Sequence, residues 1–214
     1  LHLHTNFSDG KLSPEQLLKF AWENHYAYLS ITDHDSTLGY QEATKHLTKY
    51  PMDLIPGVEV STIYQTSDVH ILAYYVDVEN PDLVEMLKKI YDSRYGRAKQ
   101  MVENLRQLGI DLNWEDDLKY AGQPKYVGRP YIARAMIENG FCKTIKSVFD
   151  DYLNNDSPVY VPKYRIDTAN AIEIIKQAGG IPVVAHPGRL EDDSVLYDFI
   201  DMGIEGFEVY YASH

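Results

Sequence analysis

The sequence predicts an α/β fold interrupted by a helical insertion, and three observations predict it. Short apolar runs alternate with helical patterns over residues 1–79 and again over 162–214. Between them, over 80–161, apolar residues keep helical spacing alone. Histidines and carboxylates recur where apolar runs end, which is where parallel strands present functional side chains.

Leu1–His4 reads as a strand remnant in which His2 and His4, flanked by Leu1 and Leu3, leave one face. Asp9 and Gly10 follow at a turn, so a carboxylate can join the two imidazoles. Ser13-Pro14 starts a helix, with Ser as N-cap, Pro at the first helical position and Gln16 as capping-box partner. Tyr28–Thr32 is the next strand, ending at Asp33-His34-Asp35, and a helix is expected from about Leu38 to Tyr50. Leu54–Ser61 reads as a strand broken at Pro56-Gly57, and Val69–Tyr75 as a strand apolar nearly throughout. His4, His34 and Glu59 thereby fall at or near the carboxyl ends of strands in a βαβ pattern.

In 80–161, Tyr95, Ala98, Met101, Val102, Leu105 and Leu108 form a helical stripe closed by Gly109, and shorter helices are expected over 131–139 and 145–153. This segment carries Arg94, Arg97, Lys99, Arg106, Lys125, Arg129 and Arg134, the more basic part of the chain. The first pattern resumes with a helix over 167–178, then a strand over 181–185 that delivers His186-Pro187-Gly188-Arg189. A helix over 194–202 and a strand over 206–211 complete it. The visible strands are too few for a closed eight-stranded barrel, and both ends are expected to be incomplete.

A chain of 214 residues, 44% hydrophobic and 24% charged, can bury a sizeable core. No stretch approaches the ~20 apolar residues of a membrane span. The lone Cys142 excludes an internal disulfide and suits a reducing cytoplasm. A net charge of −12 argues against a broad basic surface for duplex DNA. Two or three divalent ions would reverse that sign locally, so a phosphorylated small molecule or short single-stranded RNA remains a suitable partner. The oligomeric state is left open.

Collecting polar groups from strand ends gives His2, His4, Asp9, His34, Glu59, His70 and His186. Seven such ligands suffice for two or three ions, with Glu59 placed to bridge. Mixed imidazole and carboxylate ligation suits manganese, iron or zinc better than magnesium or calcium. His25 and His46 lie on helices away from strand ends and read as surface residues.

These elements resemble the PHP (polymerase and histidinol phosphatase) family of metal-dependent phosphoesterases. The matching motifs are Leu-His-Leu-His-Thr with Ser-Asp-Gly, Ile-Thr-Asp-His-Asp, Pro-Gly-Val-Glu-Val-Ser, Val-His-Ile-Leu-Ala-Tyr and Ala-His-Pro-Gly-Arg. Two further segments, residues 127–134 and 158–163, are similar to the branch holding nucleoside 3′,5′-bisphosphate phosphatases and a 5′-to-3′ exoribonuclease. The resemblance implies a distorted (β/α)7 barrel with metal ions at the strand ends. It implies that His2, His4 and Glu59 serve one ion, that Glu59, His70 and His186 serve a second, and that Asp9 and His34 serve a third. The family's late Asp-x-His motif is absent here, and Tyr131 stands where the branch has histidine.

The implied reaction is phosphoester hydrolysis by a hydroxide held between ions, since coordination lowers the pKa of water to ~7. Arg129, Lys163 and Arg189 are candidates to grip phosphate, with structural salt bridges as the competing reading. Asp33 either orients His34 or moves protons, and His214 stands where the family has a site-facing residue. A metal-dependent amidohydrolase is the alternative enzyme, although that class commonly bridges its metals with lysine. An accessory metal-binding domain of little activity is the third reading.

Overall fold

The computed structural model describes residues 1–114, 128–190 and 192–211. The chain divides into two compact units, Leu1–Lys88 with Arg165–His214, and Lys89–Tyr164.

The first unit is built on a mixed six-stranded sheet. Its elements in chain order are α1 (Pro14–Glu23), β1 (Tyr28–Ile31), α2 (Leu38–Thr44), β2 (Asp53–Tyr64) and β3 (Ser67–Tyr74). After the second unit come β4 (Ile166–Asp167), α6 (Thr168–Gln177), β5 (Ile181–Val184), α7 (Val195–Asp201) and β6 (Gly206–Phe207). The strand order is β1-β2-β3-β5-β6, with β4 also pairing β2. α1 begins as its sequence dictates: Gln16 N–H donates to Ser13 Oγ, and Ser13 N–H donates to Gln16 Oε1. Leu17, Leu18 and Ala21 then bury against Leu29 and Ile31 of β1.

Several elements depart from expectation. Leu1–His4 forms no strand, although Leu3 is stitched to the end of β1. Thr32 N–H donates to the Leu3 carbonyl at 2.8 Å, and Leu3 N–H donates to Thr32 Oγ1 at 3.2 Å. β2 runs unbroken through Pro56-Gly57. The missing side chain of Gly57 is what allows this, since a Cβ there would lie 2.5 Å from Ser30 Oγ of β1. β2 and β3 are antiparallel, not successive strands of a parallel sheet. A tight turn at Gln65, with φ +54°, joins them directly, so no crossover helix intervenes. Glu59 and His70 consequently sit in mid-strand and not at carboxyl ends. The second helix stops at Thr44 and continues to Tyr50 as turns, and β6 is only two residues long.

The second unit is helical among its described residues: the latter part of α3 (Pro81–Gln107), then α4 (Arg129–Glu138) and α5 (Ile145–Val148). The expected helix over 145–153 changes winding, because Phe149–Leu153 forms a π turn. Met101, Leu105, Leu112, Ile132, Met136 and Leu153 are fully buried in its core. No helix of the described residues is long and apolar enough to cross a membrane.

Candidate metal centre

The centre grows from the pairing of β1 with β2. Ile31 lies opposite Pro56, and the same register carries past the end of β1 to an isolated parallel bridge between His34 and Glu59. Asp35 N–H donates to the Glu59 carbonyl at 2.9 Å, while Asp35 accepts from Ser61 N–H and Oγ at 2.7 and 2.9 Å. The Asp33–Asp35 loop is thus bound to the middle of β2. On β3, His70 pairs with Ser61, one step diagonal to Glu59 on the same face.

Glu59 is fully buried, and five imidazoles converge on its carboxylate. His70 Nδ1 and His186 Nε2 lie 2.8 and 3.0 Å from Oε1. His2 Nε2, His4 Nε2 and His34 Nδ1 lie 3.1, 3.2 and 3.2 Å from Oε2. Asp9 stands on the outer side of two of these rings, 3.5 Å from His4 Nδ1 and 3.7 Å from His34 Nε2. All seven residues anticipated as ligands therefore come together.

Burial alone would raise the Glu59 carboxyl. The hydrogen-bonding rings of His186, His2, His4 and His70 outweigh it and hold the group well below the usual carboxylate range. For His2, burial disfavours the charged ring, but Glu59 and Glu208 on its two sides raise it overall. His34 goes the other way: burial pushes it down to about 4, assisted by His70 and His4 and opposed by Glu59.

The donor set fits divalent ions. Among the described residues, three overlapping groups have ligand atoms within 4.8 Å of one another: His2, His4 and Glu59; His4, Asp9 and His34; and His34, Glu59 and His70. Neutral imidazole and carboxylate, without thiolate, are the ligands that manganese, iron and zinc accept.

Asp33 is buried, but its oxygens face the preceding loop. It accepts from Thr5 N–H and Oγ1, both at 2.6 Å, and from Ser8 Oγ at 2.7 Å. It fixes the segment that carries Asp9. Burial raises its pKa, against the lowering effect of these donors.

Arg189 follows His186 in a short 3-10 turn, its guanidinium 5.0 Å from the ring of Tyr211. Tyr211 in turn stacks on His2 at 5.6 Å and lies 5.1 Å from His186. Arg129 and Lys163 belong to the helical unit. Arg129 Nη1 donates to the Leu153 carbonyl and to Asn155 Oδ1 at 2.9 and 3.0 Å, over the Phe149 ring, and Lys163 is half-buried. His214, Lys125 and Val127 lie outside the described residues.

Sequence reasoning missed Glu208, whose carboxylate touches both His2 and His186. Its signal was available, since it ends the apolar run Gly206-Phe207 as Glu59 punctuates β2. Tyr211 carried no comparable signal among many tyrosines.

The sequence pattern described as PHP domain matches residues 1–190. A 3′,5′-nucleoside bisphosphate phosphatase of Chromobacterium violaceum is 33% identical, over 100% of this chain and 77% of its own. The 5′-3′ exoribonuclease Rnm of Salmonella typhimurium is also 33% identical, over 100% of this chain and 71% of its own. A crystal structure assigned as a metal-dependent phosphoesterase, from Bifidobacterium adolescentis, superposes with a TM-score of 0.84 at 33% identity, covering 98% of this chain and 76% of that one.

Proposed function

The chain belongs to the PHP-domain family, and from that membership we propose a metal-dependent phosphoesterase that hydrolyses phosphate esters of nucleotides or short oligoribonucleotides. The observation that carries the reading is the buried Glu59 carboxylate ringed by five imidazoles. His2, His4 and Glu59 would hold one ion, and Glu59, His70 and His186 a second. Asp9 and His34 would hold a third. Two to three ions of manganese, iron or zinc suit these donors. Such ions, when bound, lower the pKa of water to ~7 and offset the charge on phosphate.

The chain's own groups do the rest. Glu59 fixes the spacing of the ligand rings, because its two oxygens divide them into two sets. Asp33 anchors the Thr5–Gly10 loop and so sets the place of Asp9; we assign it this positioning role. Arg189, held over Tyr211 beside two of the rings, offers a planar cation to an incoming phosphate. Arg129 and Lys163 are the further cations we propose for gripping phosphate.

Nucleotide or RNA substrates are supported by the names of the two relatives, a nucleoside bisphosphate phosphatase and an exoribonuclease, and a net charge of −12 disfavours duplex DNA. The finer architecture we propose is the distorted (β/α)7 barrel, with 80–161 as its insertion. The separation of Lys89–Tyr164 as a compact unit supports that division. The lone Cys142 suits the cytoplasm.

The test compares two substrates with manganese-loaded protein. Phosphate release from adenosine 3′,5′-bisphosphate, or shortening of a 5′-phosphorylated RNA oligomer, is the expected result. Hydrolysis of neither, with bound metal demonstrated, overturns the substrate class.

A further inference from the structure

Glu208 follows β6 and reaches the edge of the metal centre with a nearly buried carboxylate, its side chain 11% exposed. Its two oxygens have different duties. Oε1 lies 2.9 Å from His2 Nδ1, the ring nitrogen facing away from Glu59. Oε2 accepts the backbone N–H of His186 at 2.7 Å. His186 needs that anchor, since its backbone is left-handed, with φ +31° and ψ +57°, which L side chains rarely adopt and which precedes a proline. The backbone at Glu208 is itself fixed, its N–H donating to the Val184 carbonyl of β5 at 2.9 Å.

We propose that Glu208 is a positioning residue that ties together two ligands held against different oxygens of Glu59, orienting the His2 ring through one oxygen and the His186 backbone through the other. The inference rests on the metal-centre reading given above. His2 lies against Oε2 of Glu59 and His186 against Oε1, so one carboxylate at the rim aligns a ligand of each set. With His2 Nδ1–H given to Glu208, the Nε2 lone pair points into the centre. A carboxylate behind a ligating histidine fixes the ring's tautomer and direction in this way. Both oxygens must be acceptors. A glutamine has one acceptor oxygen, and its amide group would face a second donor, so it can serve His2 or His186 but not both.

The full chain, stripped of metal, is titrated with zinc against a chromophoric chelator. Glu208→Gln and Glu208→Ala are compared with Glu205→Gln, an exposed neighbour 3.8 Å from Lys176. Both Glu208 variants are expected to keep the wild-type circular dichroism and lose roughly 10- to 100-fold in zinc affinity. The control is expected to match wild type. Unchanged affinity in Glu208→Gln overturns the proposal while leaving the metal centre standing. Failure of the wild type itself to bind zinc overturns both.

Should the variants not fold, the wild type answers alone through the ring nitrogen shifts of zinc-loaded, ¹⁵N-labelled protein. A protonated Nδ1 and a metal-bound Nε2 on His2 are expected, and the reverse pattern overturns the assignment.

Discussion

His34 and Glu59 stand opposite one another across a parallel bridge, and their side chains meet with Nδ1 3.2 Å from Oε2. The contact exists because the β1–β2 register survives the end of β1. Residues opposed in a ladder leave the same face, so the pairing that shapes the sheet also brings a ring to the carboxylate. His70 arrives from the other flank of β2 by the same logic, one diagonal step away.

Glu59→Gln keeps the side chain's size but removes the charge and one acceptor oxygen. Metal content, measured by elemental analysis, is expected to fall with phosphate release. Activity drops by at least about 100-fold, the upper end of what losing an outer partner of a metal ligand costs. Activity within a few fold of wild type contradicts the bridging role.

Metal-free protein should lose stability as pH falls from about 6.5 toward about 4. Burial pushes the folded His34 ring down to about 4, well below the ordinary histidine value of about 6.5. Within that window the unfolded chain binds a proton that the folded chain refuses, so stability rises with pH and falls with acid. One such group contributes at most about 1.4 kcal/mol per pH unit. Glu59, also depressed, adds loss in the same direction as pH falls below the usual carboxylate range. His2, raised, has the opposite sign and acts only above about 6.5. Urea midpoints at pH 6.5, 5.5 and 4.5 test this, and His34→Gln should flatten the slope.

Gly39→Ala should destabilise. A Cβ at Gly39 would sit 1.9 Å from Asp33 Oδ2 and 2.8 Å from Thr5 Oγ1, inside the hydrogen-bonded cluster that holds the Thr5–Gly10 loop. The expected cost is about 1–3 kcal/mol. Gly96→Ala is the counterpart in α3, where an added Cβ meets nothing within 4 Å and helix propensity should give a gain of about 0.5–1 kcal/mol. Thermal melts of the two variants should shift in opposite directions.

Asp33→Asn turns an amide donor toward the donors Thr5 and Ser8. Stability is expected to fall by about 1–3 kcal/mol, while the shape of the pH–rate profile of the loaded enzyme stays unchanged. A lost limb in that profile with an unchanged melting temperature would instead make Asp33 a proton carrier.

The sequence makes the candidate ligands legible before the topology. Ser13 and Gln16 announced the start of α1, and the capping box is present as written. The seven candidate ligands are visible as a set because histidines and acids punctuate apolar runs. Strand direction was not visible, since alternation and apolarity are the same in parallel and antiparallel strands. The turn joining β2 to β3 has Gln65 at positive φ, where glycine or asparagine would have signalled a hairpin. Pro56-Gly57 resembled a break, although its glycine serves close strand contact. Glu208 escapes notice in the sequence because it falls in the middle of the run expected as the last strand, 206–211, whereas β6 ends just before it.

If Glu59 and its histidines hold the ions on which hydrolysis depends, manganese titrated into metal-stripped protein must restore it. Bound metal and phosphate release from adenosine 3′,5′-bisphosphate are followed on the same samples, for wild type and Glu59→Ala. Wild-type activity is expected to rise with uptake of two to three ions per chain, and both are expected to be lost in Glu59→Ala. Full activity in stripped protein held in excess chelator, or in Glu59→Ala, would contradict it.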